Sequence, residues 1–208
     1  MVDAIKKYGW DDSQSPNSYN YITPKLLNLL KAYKVKRVCD IGSGNGALAN
    51  ELDKAGFSIV GVEYAEDGVS ISSNSYAHIR FYNLGVQDDP TTLVQNEGKF
   101  DAVISTEVVE HLFSPHQLPI FSNALLDEDG LLFVTTPHHG YIKNLMLSIF
   151  DKWDKHHTAL WHGGHIKFWS RRTLTKLLEK NGFEVMAFYG VGRCYFLWKS
   201  MILVARKV

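Results

Sequence analysis

Apolar positions along the chain switch between two periods. Residues 36–41 (KRVCDI) form a short apolar run that stops at a glycine-rich turn over 42–46, which predicts a buried strand. Residues 47–55 (ALANELDKA) then carry apolar side chains at helical spacing and are closed by Gly56. The pattern repeats, predicting strands over 57–62, 79–84, 100–105 (FDAVIS) and 130–135 (GLLFVT), with helices over 65–75 and 117–126. Strands alternating with helices at this spacing mean βαβ units and a mostly parallel sheet, and right-handed crossovers make that sheet open and doubly wound.

The flanks depart from this rhythm. Residues 13–20 are rich in Ser, Asn, Gln and Pro and read as a loop. A helix then starts at Tyr21 or Thr23, with Pro24 in its first turn and Leu26, Leu27, Leu29 and Leu30 on its apolar face. After the fifth strand, residues 136–164 are long, aromatic and rich in histidine. Within them, residues 141–153 place Ile142, Leu145, Met146, Ile149, Phe150 and Trp153 at helical spacing, predicting one amphipathic helix. A helix over 171–180 follows, with Ser170 as N-cap and Asn181-Gly182 as its end. Residues 183–189 and 197–205 read as a final antiparallel pair at the sheet edge. The expected fold is therefore an α/β, doubly wound, Rossmann-like sheet with an antiparallel C-terminal edge and a helical, aromatic insertion after the fifth strand. It forms a single domain over 1–208, with an N-terminal cap over 1–34 and a substrate lid over 136–169.

Composition narrows the function class. A chain of 208 residues, 45% hydrophobic and 21% charged, has the size and balance of one globular domain. Its 22 Lys and Arg cancel its 22 Asp and Glu, which weighs against nucleic acid as the partner. Cys39 and Cys194 are far apart, and Cys39 sits in an apolar run, so neither a disulfide framework nor a CxxC metal site is expected. The expected setting is cytoplasmic. Residues 1–12 are polar and of mixed charge, unlike a signal peptide, and no apolar run approaches the roughly 20 residues that span a bilayer.

The turn Asp40-Ile41-Gly42-Ser43-Gly44-Asn45-Gly46 carries the first chemistry. Glycines let the backbone turn sharply and come close to a ligand, and open α/β sheets bind ligands at the carboxyl ends of their strands. A nicotinamide dinucleotide and S-adenosylmethionine (SAM) both fit such a turn. The nicotinamide fingerprint has its third glycine inside the helix, whereas here Ala47 and Leu48 follow Gly46. Asp40 would repel a pyrophosphate but suits the ammonium of SAM. The segment resembles motif I of class I SAM-dependent methyltransferases. Glu63, at the end of the second strand and followed by Tyr64, can accept both ribose hydroxyls in either cofactor class. The resemblance implies that Asp40, Gly42, Ser43, Gly44, Gly46, Glu63, Tyr64, Val86 and Glu107 bind the cofactor. It also implies an acid at the end of the third strand for the adenine amino group. Gly85 stands there instead, leaving Asp88 or the backbone of Gly85 and Val86 for that contact.

The segment 104–112 (ISTEVVEHL) resembles motif IV of the same enzymes, in the EVxEH version found in ubiquinone-biosynthesis and small-RNA O-methyltransferases. Glu107, Glu110 and His111 fall at i, i+3 and i+4, so they are expected on one helical face. Two carboxylates and an imidazole suit a divalent metal ion, with His165 of the segment 162–170 (HGGHIKFWS) as fourth ligand by resemblance. His111 and Glu110 are the expected catalytic residues. The alternative is structural: Glu107 lines the cofactor pocket, Glu110 holds backbone and His111 shapes the turn. Eight of the nine histidines lie between His111 and His165, and some of them are expected to face the acceptor. The helix over 141–153 is either a lid or a greasy surface for a lipid-linked acceptor or a membrane interface. Trp10, Tyr19 or Tyr21 of the cap is expected at the methionine end.

The resulting expectation is a SAM-dependent methyltransferase acting on oxygen of a small-molecule or lipid-linked acceptor, with a divalent metal ion as assistant. Its rivals are an RNA methyltransferase, a degenerate SAM-binding module and a nicotinamide oxidoreductase.

Overall fold

The computed structural model describes residues 8–157, 160 and 163–208. The elements run α1 (Tyr19–Ala32), β1 (Arg37–Ile41), α2 (Ala47–Lys54), β2 (Ser58–Glu63), α3 (Glu66–Ser75), β3 (Arg80–Asn83), α4 (Thr91–Glu97) and β4 (Phe100–Thr106). A 3-10 turn (Val109–His111) leads to α5 (Gln117–Leu125), β5 (Leu126–Pro137), α6 (Tyr141–Ile149), α7 (Trp153–His157), α8 (Arg171–Glu179), β6 (Phe183–Val191) and β7 (Ser200–Lys207). The strands form one seven-stranded sheet in the order β3-β2-β1-β4-β5-β7-β6. Strands β1 to β5 are parallel, and β7 inserts antiparallel between β5 and β6. The chain order reverses between β1 and β4, which is where an open α/β sheet binds its ligand.

The two sheet faces carry separate apolar clusters, as alternate residues of a strand must. Cys39, Ile41, Val103, Leu132, Val134 and Leu203 pack under α5 and α8. Val38, Ala102, Ile104, Phe133, Ile202 and Val204 pack under α1 and α2. The central strands are buried on both faces and read as continuous apolar runs.

Three elements differ from the pattern-based expectation. Helix α1 starts at Tyr19, so Pro24 lies inside it rather than in its first turn. Burial of Tyr19 and Ile22 draws the extra turn in, and Pro24 is tolerated because it is exposed. Helix α4 was not predicted: its sequence TTLVQNE has one fully buried anchor, Leu93, and no amphipathic stripe. The insertion holds two helices instead of one, because the chain turns left-handed at Asp151 (φ 51°). No residue of α6 is buried. Helix α8 begins as expected at Ser170, whose side chain forms a capping box with Thr173. No helix among the described residues is long and apolar enough to cross a membrane.

Candidate active site

The turn after β1 is locked to the end of β2, since the amides of Gly42 and Ser43 both donate to the Val62 carbonyl, at 2.7 and 3.0 Å. Gly42, Gly44 and Gly46 all have positive φ, at 75°, 54° and 81°. Gly42 also lies where any side chain would overlap Val108, and Gly44 where it would overlap the Trp10 ring. The turn therefore stays open only with glycine at these positions. Glu63 braces it from β2: its carboxylate accepts from the Gly44 amide at 2.8 Å and the Ala65 amide at 2.7 Å.

A cavity of about 660 Å³ opens beside this turn. Gly42, Glu63, Tyr64, Val86 and Glu107 of the expected cofactor residues line it, while Asp40, Ser43, Gly44 and Gly46 do not. Asp40 and Ser43 are each 1% exposed. Neither oxygen of Asp40 finds a hydrogen-bond partner among the described residues. Burial, reinforced by the Glu63 charge, pushes its carboxyl up to about 8. Gly46 serves as the left-handed N-cap of α2, and Gly44 lies under Trp10.

The wall is completed from the N-terminal side. Tyr8, Trp10, Pro16, Ser18 and Tyr19 line the cavity, whereas Tyr21 packs near Gly192 instead. Residues 8–14 cross the glycine turn as a strap. Asp67 holds one end, accepting from the amides of Tyr8, Gly9 and Trp10 at 3.3, 2.8 and 3.1 Å. Burial alone would raise Asp67, but these amides and that of Gly68 outweigh it and keep its carboxyl low. Asn45 holds the other end, donating to the carbonyls of Asp12 and Gln14 at 2.8 and 2.9 Å. The anchoring role of Asp67 carried no sequence signal, because it is a contact across more than fifty residues.

At the end of β3, the Gly85 amide donates to the Asp88 carboxylate at 2.7 Å. Asp88 thus closes the turn and does not line the cavity. Gln87 does line it, and its carboxamide occupies the volume that a side chain at position 85 would fill.

The same cavity is also lined by Glu107, His111 and His165. The expected common face for Glu107, Glu110 and His111 does not form. Only Val109–His111 is helical, and Glu107 precedes it with φ of 57°, a backbone strain uncommon outside glycine. Its carboxylate is held by the hydroxyls of Thr135 and Ser200, at 3.1 and 3.2 Å. Burial lifts Glu107 to about 7, against the opposing pull of Thr135, Ser200 and Lys143.

Glu110, His111 and His165 do come together, each offering an atom within 4.8 Å of the others. Glu107 is not in that group, so three of the four expected metal ligands converge. The amides of Ile166 and Lys167 donate to the Glu110 carbonyl, both at 3.0 Å, and bring the His165 loop onto the 3-10 turn. The His111 and His165 rings lie 5.0 Å apart at 70°. One oxygen of the 1% exposed Glu110 accepts from Thr136 at 2.9 Å, while the other finds no hydrogen-bond partner among the described residues. Burial pushes Glu110 well up, with Glu107 adding to it, and pushes His165 down to about 4. An orphaned carboxylate oxygen beside two neutral imidazoles is a donor set that fits a divalent transition ion. Of the other histidines of the insertion, His138, His139, His156 and His157 are described and lie outside the cavity wall, and His162 lies outside the described residues.

Residues 16–187 match the family model described as a methyltransferase domain. The chain belongs to that family. The ubiquinone biosynthesis O-methyltransferase of Hydrogenovibrio crunogenus is 26% identical over 148 residues, covering 68% of this chain and 60% of that protein. The protein of the same name from Dinoroseobacter shibae is 29% identical over 197 residues, covering 88% of this chain and 76% of the relative. A third, from Glaesserella parasuis, is 31% identical over 127 residues, with 59% and 52% covered. The chain thus spans about half to three fifths of the length of the first and third of these relatives. Among solved structures, the magnesium protoporphyrin IX methyltransferase of Synechocystis with bound S-adenosylhomocysteine has the same fold. It superposes with a TM-score of 0.66 at 20% identity, covering 89% of this chain and 82% of that one.

Proposed function

We propose that this protein is a SAM-dependent O-methyltransferase that acts on a small-molecule phenol with a lipid-like tail. One observation carries the reading. A single cavity is lined by Gly42 and Glu63 from the cofactor-binding motifs and by Glu107, His111 and His165. Names of the relatives support oxygen as the acceptor atom.

When bound, SAM supplies an electrophilic methyl on its sulfonium. Glu63 takes the ribose hydroxyls, and the Gln87 carboxamide takes the adenine amino group in place of the acid missing at position 85. Glu107, clamped by Thr135 and Ser200, fixes the floor between cofactor and acceptor. A divalent cation held by Glu110, His111 and His165 would lower the pKa of the acceptor hydroxyl. Trp10 and Tyr8 exclude water from above, and alignment of the hydroxyl with the methyl supplies most of the acceleration. The apolar tail is assigned to α6, which buries nothing and exposes Tyr141, Leu145, Met146 and Ile149, with Phe150 exposed just beyond its end.

The test incubates the protein with methyl-labelled SAM and catechol, with and without chelator, alongside Glu110→Gln and His111→Ala. Label in catechol that disappears with chelator and in both variants supports the cation. Label that survives chelation but not His111→Ala makes His111 the proton acceptor instead. Absence of label from catechol, with label entering RNA of an extract, would replace the small-molecule reading.

A further inference from the structure

Four aromatic side chains from three separate segments follow one another along the cavity. Trp10 and Tyr8 come from the strap, His111 from the 3-10 turn and His165 from the loop before α8, and all four line the cavity. Their rings form a row: Trp10 to Tyr8 at 5.5 Å, Tyr8 to His111 at 5.8 Å, and His111 to His165 at 5.0 Å. The chemistry derived above uses the two imidazoles and gives the two strap residues no task beyond excluding water.

The two ends of this row are fixed by different parts of the site. Trp10 is seated on the glycine turn, where a side chain at Gly44 would fall 2.5 Å from its ring and one at Gly68 3.2 Å from it. His111 and His165 belong with Glu110 to the group that suits a cation. Tyr8 touches both ends: its ring meets that of Trp10 at 32° and that of His111 edge-on, at 87°. It therefore stands at the junction of cofactor turn and cation group, where an acceptor must lie for its oxygen to meet the methyl. Asp67 keeps it there by accepting from the amides of Tyr8, Gly9 and Trp10. Burial, with the charges of Glu110 and Glu63 adding, pushes the Tyr8 phenol up, so the side chain stays neutral. A neutral, half-buried ring offers a ligand apolar area and a quadrupole rather than a charge, which is what another aromatic ring complements.

We infer that Tyr8 is a specificity-determining residue that contacts the methyl acceptor and selects an aromatic one by packing its ring against the acceptor's own. The inference rests on the function proposed above and deepens it: the phenol is recognised as a ring, by a side chain carried on the strap, as well as through its hydroxyl. Tyr8 is the selecting side chain because Trp10 is seated on the cofactor turn and the two imidazoles are committed to the cation. A saturated alcohol of the same size would present its hydroxyl equally well and forgo the ring contact.

Calorimetry on the S-adenosylhomocysteine complex tests it with two vicinal diols, the flat catechol and the saturated cis-1,2-cyclohexanediol. The wild type is expected to prefer catechol. Tyr8→Leu is expected to weaken catechol about fivefold, the usual scale for one aromatic pair, and to leave cyclohexanediol and S-adenosylhomocysteine affinities unchanged. Tyr8→Phe, which keeps the ring, is expected to hold catechol to within about twofold of the wild type. The unchanged cofactor-product affinity separates this role from mere support of the strap, because Asp67→Ala releases the whole strap and is expected to weaken both ligands. Catechol affinity unmoved by Tyr8→Leu, an equal fall for both diols, or a matching fall for S-adenosylhomocysteine overturns the inference. So does a loss in Tyr8→Phe as large as in Tyr8→Leu, which assigns the contact to the hydroxyl instead. A wild type that binds S-adenosylhomocysteine but not catechol defeats the phenol reading and the inference with it, whereas catechol binding that ignores Tyr8 defeats the inference alone.

Discussion

Gln87 carries the clearest consequence at the scale of single residues. Its carboxamide fills the space left by Gly85 and faces the cavity, so it is the side chain able to accept from an adenine amino group. Gln87→Ala is expected to weaken S-adenosylhomocysteine about five- to tenfold, the worth of roughly 1 kcal/mol for one hydrogen bond, without changing the melting temperature. An unchanged dissociation constant by calorimetry would remove Gln87 from the site. Asp40 makes a prediction about pH. Its carboxyl is raised from 3.8 to about 8, so the folded protein holds a proton that the unfolded chain gives up. The free protein therefore loses stability as pH climbs from about 4 to about 8, by up to ~1.4 kcal/mol per unit for one group. Asp40→Asn should flatten that slope: denaturant melts at pH 5 and pH 8 will show the variant gaining on the wild type at the higher value. Parallel slopes would mean that Asp40 is ionised in the fold. The residues of this end were legible because the glycine turn and the EVVEH segment are local patterns. The place of Glu107 apart from the other expected metal ligands was not, because one left-handed backbone angle rotates it off the face that sequence spacing assigns.

At the scale of elements, the strap over 8–14 is held by side chains rather than by any sheet or helix. Asp67 gathers three of its amides, and Asn45 two of its carbonyls. Asp67→Ala should free the strap and speed S-adenosylhomocysteine dissociation by about tenfold or more, each charged hydrogen bond being worth roughly 1.5–3 kcal/mol. Stopped-flow displacement reads it directly, and an unaltered off-rate would show that the strap does not cover the ligand. Such ties were invisible in the sequence because they join segments far apart in the chain. Helix α4 was invisible for the opposite reason: five polar residues around Leu93 and Val94 give no periodicity to read. The central strands were legible, since burial on both faces makes them near-continuous apolar runs.

At the scale of the whole molecule, stability is concentrated in β1, β4, β5 and β7, whose apolar residues are almost entirely buried. Hydrogen exchange should find the slowest amides there and among the fastest in α6, which has no buried residue to hold it. S-adenosylhomocysteine should slow exchange in residues 8–14 and leave α6 unchanged. Protection spreading to α6 with cofactor alone would mean that the two are coupled.

Helix α6 offers nothing to the core, and none of its residues lines the cavity. Natural selection can thus rewrite residues 141–157 with little cost to folding or to cofactor affinity. The segment behaves as an interchangeable cassette on a fixed engine, and exchanging it between relatives is a direct route to new acceptors.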